Sequence, residues 1–188
     1  MTRRRYLFPF VLALGLAALA AWNYLSLQRP ALATISADPR NSGISLRAHY
    51  QWLINPRVVI FDLREVPLDK SAMDVSRTLL QFSEHLKDEN FDKVVLSYKG
   101  NPRFVLKGSY FRTLGEEYGV QNPIYTLRTL PENVYNLDGS PAFGTWTGGW
   151  LGVIGKQMED LNEFHRAWYL SDIADDRQEL WTPKDDGS

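Results

Sequence analysis

The 188-residue chain is 44% hydrophobic and 13% aromatic, with a formal net charge of −1. Six tryptophans suit a packed fold rather than a disordered stalk, and the balanced charge gives no global attraction to nucleic acid. No cysteine is present, so disulfides, thiolate metal ligation, thiol catalysis and a lipid-modified N-terminal cysteine are excluded.

Tyr6–Gln28 is an uncharged run of 23 residues, rich in Leu and Ala and preceded by Arg3, Arg4 and Arg5. A bilayer core needs about 20 apolar residues as helix. Tyr6 stands at one end and Trp22 and Tyr24 at the other, where amphipathic rings suit the headgroup layer. The run predicts a single-pass membrane anchor with its N-terminus cytoplasmic and the rest of the chain on the exported side. The alternative is a signal peptide cut after Ala18-Leu19-Ala20 or Ala31-Leu32-Ala33, leaving a secreted or periplasmic domain. The run is longer than the usual signal core of roughly 7–15 residues, which favours a retained signal-anchor.

Residues 29–43 are polar with two prolines and read as a linker off the membrane. Leu46, Tyr50 and Leu53 have helical spacing, so Ile44–Asn55 is expected to form a short helix. Val58–Val66 is apolar on both faces, as in a central strand covered on both sides. Ser71 and Asp74 have capping-box spacing, and Ala72, Val75, Leu79, Phe82 and Leu86 form one helical stripe. Val94–Lys99, a Gly100-Asn101-Pro102 turn and Arg103–Lys107 read as a hairpin. Ser109 opens a short helix ending near Gly119, and Ile124–Leu130 is expected to be the last strand. A further helix is expected over Gly155–Leu170. Residues 172–188 hold six acids and two bases and read as a flexible acidic tail.

The expected class is α+β. After the anchor comes a βαββαβ, ferredoxin-like domain over residues 44–171, with an extra C-terminal helix. Such a sheet bares one face, yet its first strand is apolar on both. Residues 141–155 and the helix after them are the expected cover.

Few motifs carry chemistry. Gly149 to Lys156 has the wrong spacing for a phosphate loop and lacks the hydroxyl after the lysine. His49, His85 and His165 have no metal-ligand spacing. No cofactor, metal or nucleic acid is expected. Asp62 and Glu65 end the first strand and are the candidates for an exported small-molecule-binding protein or hydrolase-type enzyme. Phe143, Trp146 and Trp150 lie in an uncharged, glycine-rich segment. They either pack on the sheet or form an exposed patch for a protein partner or the membrane interface. Residues 93–112 contain Lys93, Lys99, Arg103, Lys107 and Arg112 with no acid. Lys99, Arg103 and Lys107 either guard a hairpin edge or face an anion. The anion would be a phospholipid headgroup, an acidic partner or the chain's own tail.

Val59–Pro67, with Asp62, Arg64 and Glu65, resembles the aspartate-arginine-glutamate stretch of rhodanese-like domains. Val94–Arg103 is similar to their strand into the active loop, and Asn133–Gly139 to their late strand and glycine. The resemblance implies a three-layer α/β fold as the alternative. Three features depart from it. No cysteine carries sulfur, no Gly-His-Ile stretch follows the first strand, and a strand replaces the helix after the loop. Sulfur transfer is therefore excluded. The expected role is non-enzymatic: a membrane-held protein-interaction or assembly module.

Overall fold

The computed structural model describes residues 3–181, with side chains from Phe10 to Gln178. The surroundings of Arg3, Arg4, Arg5 and Tyr6, and residues 182–188 of the expected tail, lie outside that range.

The apolar run is helical, as α1 (Arg3–Asn23), and it does not stop where the linker was expected. One π-helical turn (Tyr24–Gln28) leads directly into α2 (Arg29–Ser36). Pro30 supplies the reason. It has no N–H to donate and its ring crowds the carbonyl one turn back, so the helix widens before it rather than breaking. Ala31 and Ile35 on α2 are core residues, so residues 29–36 belong to the fold.

Five strands follow in sequential order across one mixed sheet: β1 (Ser45–Gln51), β2 (Asn55–Glu65), β3 (Lys93–Tyr98), β4 (Asn101–Lys107) and β5 (Val134–Tyr135). Among the described residues, only the β2–β3 pair is parallel. Its crossover is α3 (Ala72–His85), opened by the capping box between Ser71 and Asp74. Lys99 and Gly100, both with positive φ, make the tight turn into β4. Next come α4 (Gly108–Glu117) and α5 (Pro123–Arg128). The chain closes with α6 (Trp150–His165), a π-helical turn (Arg166–Leu170) and α7 (Ser171–Trp181).

The core lies on one face of the sheet. Leu46, Ala48 and Tyr50 of β1 share it with Val59, Phe61 and Leu63 of β2, Val94, Leu96 and Tyr98 of β3, and Phe104 and Leu106 of β4. Helices pack against that face: Phe82 of α3 meets Phe61, Phe111 of α4 meets Phe82, and Phe164 of α6 meets Phe104. Trp168, fully buried, stacks near Phe61 and donates its indole N–H to the Ser97 carbonyl at 3.1 Å. Val58 and Val95 are buried on the other face, outside this cluster.

The α+β class holds; several finer expectations do not. Ile44–Asn55 is a strand and turn rather than a helix. The 46/50/53 spacing that suggested a helix overlies a stronger period-two set, Leu46, Ala48 and Tyr50, all buried. Ile124–Leu130 is not the last strand. Pro123 pre-sets the first helical turn and the Asn122 side chain accepts the Ile124 N–H at 3.1 Å, so the segment coils. The last strand is the two-residue β5. With β1 added and the strands in sequential order, the sheet does not follow the ferredoxin-like order. Among the described residues the helices pack on one face of the sheet, which also sets aside the three-layer, rhodanese-like alternative. Residues 141–155 and α6 do not cover the second face, because Phe143 and Phe164 both join the core side. Residues 172–181 of the expected tail are helical.

Candidate functional site

Four groups of residues bear on function, and the fold separates them.

The first is where α1 meets the sheet. Strand β1 is an edge, and its outward N–H and C=O groups need partners. Two amides on the N-terminal helix provide them. Asn23 accepts the Tyr50 N–H at 2.9 Å and donates to the Leu53 carbonyl at 2.7 Å. Gln28 accepts the Ala48 N–H and donates to the Leu46 carbonyl at 3.2 Å. These were missed in the sequence, although two amides five residues apart in an apolar run were a visible signal. Further along, Asn41 donates to Gln81 at 2.5 Å and to the Ile35 carbonyl at 2.9 Å. The helix is thus tied to β1 at Asn23 and Gln28 and to α3 beyond Ser36.

The second group is the basic hairpin, which splits. Lys99 pairs with Asp176, and Arg103 pairs with Asp172 at 2.5 Å, both acids on α7. The Asp176 hydrogen bond holds the Lys99 ammonium above its ordinary pKa. Lys107 is at the opposite end of β4, with its ammonium 4.4 Å from the centre of the Tyr135 ring. Two of the three cations therefore face the chain's own C-terminal helix, one of the partners expected for them.

The third group is the glycine-rich segment, where the three aromatics do not form one patch. Phe143 is half-buried between Phe104 and Phe164, at ring distances of 6.0 and 6.3 Å. Trp146 is tethered: its indole N–H donates to Asp160 at 2.6 Å, with Lys156 alongside. Trp150 is 69% exposed and opens α6 beside Leu151, which is 78% exposed. Leu151 was not singled out in the sequence.

The fourth group is the open sheet face. Arg47, Val58, Ile60, Asp62, Lys93, Val95, Ser97 and Val105 alternate with the core residues on their strands, and so lie here. A cleft of about 240 Å³ is lined by His49, Gln51, Trp52, Ile60, Asp62, Ser97, Gly100 and Pro102. Asp62 is buried at its floor, accepting the Gly100 N–H at 2.9 Å and pairing with Arg64 at 2.9 Å. The Ser97 hydroxyl is buried there without a protein partner. Glu65 is exposed beyond a bulge at the end of β2 and is not among the residues that line the cleft. The two carboxylates do not converge, and Asp62 has already given its oxygens to structural partners. Among the described residues, no group of histidines and carboxylates is placed to hold a metal.

Other cavities are structural. A broad groove of about 700 Å³ between α3 and α6–α7 is lined by Glu159, Asp160 and Glu163. Lys156 and Arg166 neutralise two of these. A second, of about 350 Å³, lies beside Arg40, Arg77 and Tyr118. Asp38 occupies both arginines there, and Arg40 holds its carboxyl well below the usual range.

Compared with family models, with curated proteins and with solved structures, the chain matches none.

Proposed function

We propose that this chain is a single-pass membrane protein whose domain, held on the exported side, is a non-enzymatic interaction module. In this reading Arg3–Arg5 stay cytoplasmic, and the open sheet face receives a protein partner. The helix Phe10–Ser36 is long and apolar enough to cross a bilayer, and 11% of its most apolar window is buried in the fold. Its junction with β1 weighs against a cut after Ala33, while a cut after Ala20 would keep both amides. A cut after Ala33 would remove Asn23 and Gln28, leaving the β1 edge without its partners.

The observation that carries the interaction reading is the uncovered face. Its middle is apolar, with Ile60 and Val105 partly exposed and Val58 and Val95 buried beneath their neighbours, and its rim carries Arg47, Lys93 and Lys107. Among the described residues these three cations have no carboxylate partner, and Asp62 in the cleft belongs to Arg64. An apolar centre inside a positive rim suits an acidic protein surface.

The test is in-cell photo-crosslinking of the intact chain from a probe at Ile60, repeated with Arg47→Glu and Lys107→Glu. A discrete crosslinked partner that disappears in the charge-reversed chain supports the reading. A Trp146→Ala/Trp150→Ala chain that alone loses the partner moves the interface to the glycine-rich segment. No crosslink from Ile60 at equal abundance removes the sheet face from consideration. One observation favours a second reading, an exported small-molecule-binding protein: the unpartnered Ser97 hydroxyl in the cleft. A hydrolase using Asp62 and Glu65 has no such support.

A further inference from the structure

The lower end of the domain carries exposed apolar groups that a water-facing surface does not explain. Asn23 marks the depth at which the fold takes hold of the N-terminal helix. Between Arg5 and Asn23 lie 17 residues. At about 1.5 Å per residue that is roughly 26 Å, short of the roughly 30 Å of a hydrocarbon core. A span starting at those arginines therefore puts Asn23 at the lipid boundary or just inside it.

The β1–β2 turn shares that depth, because Asn23 donates directly to the Leu53 carbonyl. Two of its side chains are exposed, Ile54 at 61% and Trp52 at 78%, Trp52 also bordering the open-face cleft. Trp52 and Leu53 hold φ of 57° and 62°. Turn positions of this kind favour Gly or Asn. Large apolar residues there keep the tip hydrophobic against the conformational preference, the kind of outlier that points to use.

The start of α6 projects past the same end of the sheet. Phe164 packs on Phe104, and one helical stretch earlier Gln157 donates to Glu132, just before β5. Val134 of β5 pairs with Leu106, and the next pair towards that end is Lys93 with Lys107. Continuing the same way, Trp150 is 14 residues before Phe164, about 21 Å along the helix.

We infer that this end of the domain is a lipid-seating surface. The Trp52–Ile54 turn and the Trp150–Leu151 helix start enter the headgroup layer beside the span. The inference rests on the anchored reading proposed above.

The chain has no cysteine, so single nitroxide labels need no background removal. The full chain would be placed in phosphatidylcholine/phosphatidylglycerol vesicles with a label at Leu14→Cys, Ile54→Cys, Leu151→Cys or Asn101→Cys, the last at the opposite end of the sheet. Collision with oxygen and with a water-soluble nickel chelate reports depth. The expected result is a several-fold lower nickel collision rate at positions 54 and 151 than at 101, with position 14 deepest. If 14 is in lipid while 54 and 151 match 101, the seating surface is overturned and the anchor survives. If 14 is water-accessible, the anchored reading falls and the seating surface with it.

Discussion

His165 should make this fold sensitive to mild acid. The ring is 1% exposed, with its Nε2 2.9 Å from the Ser76 hydroxyl and its Nδ1 without a partner. Phe164, Trp168 and Tyr169 surround it. Protonation would put a charge there with one N–H unable to donate, so burial pushes its pKa down from 6.5 to about 4. In the unfolded chain the ring takes a proton near its ordinary pKa. Between those values the unfolded state binds more protons, so stability rises with pH across the window. The contribution is whole above about 6.5 and is lost as pH falls towards about 4, a total on the order of 3 kcal/mol. About 2 kcal/mol of that should be gone at pH 5. The carboxylates of Asp74, lowered to about 2 chiefly by the Ser71 hydroxyl, and Asp38 lose their contributions only in stronger acid. Urea unfolding of the full chain in detergent, followed by tryptophan fluorescence at pH 7 and pH 5, measures the drop. His165→Gln should start less stable at pH 7 and show little further loss at pH 5. Equal wild-type midpoints at the two pH values, or a variant that keeps the full drop, would refute the reasoning.

Other outcomes follow from single contacts. A Cβ on Gly115 would come within 2.4 Å of the Ser83 carbonyl oxygen, and one on Gly108 within 1.8 Å of that of Phe91. Both obstacles are backbone, so Gly115→Ala should cost about 1–3 kcal/mol in thermal unfolding and Gly108→Ala more. Gln28→Leu leaves the Ala48 N–H and Leu46 carbonyl without their side-chain partner, a loss of about 1–3 kcal/mol. Hydrogen exchange at the Ala48 amide should speed selectively. Arg103→Gln should loosen the start of α7, read as faster exchange over residues 171–178, and Lys99→Gln should do less because its pair is more exposed.

Legibility followed how local the controlling physics was. The Ser71 cap, the α3 stripe and the β3–β4 hairpin are set by near neighbours. The first two form where their pattern says, and the hairpin turns one residue early, at Lys99-Gly100, with Asn101 and Pro102 already in β4. The errors arise where a distant partner decided. Leu46, Tyr50 and Leu53 fit a helix until β2 offers a ladder, whereupon period two wins. Pro30 and Arg29 look like linker chemistry, but a π turn and the buried faces of Ala31 and Ile35 keep the helix going. The candidate site residues were visible by type, yet not their allegiance. Phe143 and Trp150 are indistinguishable in composition, and only packing puts one beside Phe104 and the other in the open. Lys99 and Lys107 likewise differ only in whether α7 reaches them.

The joint between helix and sheet decides how the domain can exist apart from the membrane. The strand β1 backbone is satisfied on one side by β2 and on the other by Asn23 and Gln28, so the span's end is part of the sheet's closure. A soluble fragment starting at Trp22 keeps both amides together with Leu27, Ala31 and Ile35, and should fold as a monomer. One starting at Arg29 loses the amides and the fully buried Leu27, whose absence alone removes roughly 2 kcal/mol or more of apolar burial. Its bare β1 edge then presents unpaired N–H and C=O groups to any other strand. Size-exclusion chromatography of the two fragments separates the cases: the shorter should self-associate or aggregate while the longer does not. A monomeric, equally stable fragment from Arg29 would mean that the anchor merely carries the domain, and that the amide bonds to β1 contribute little to its fold.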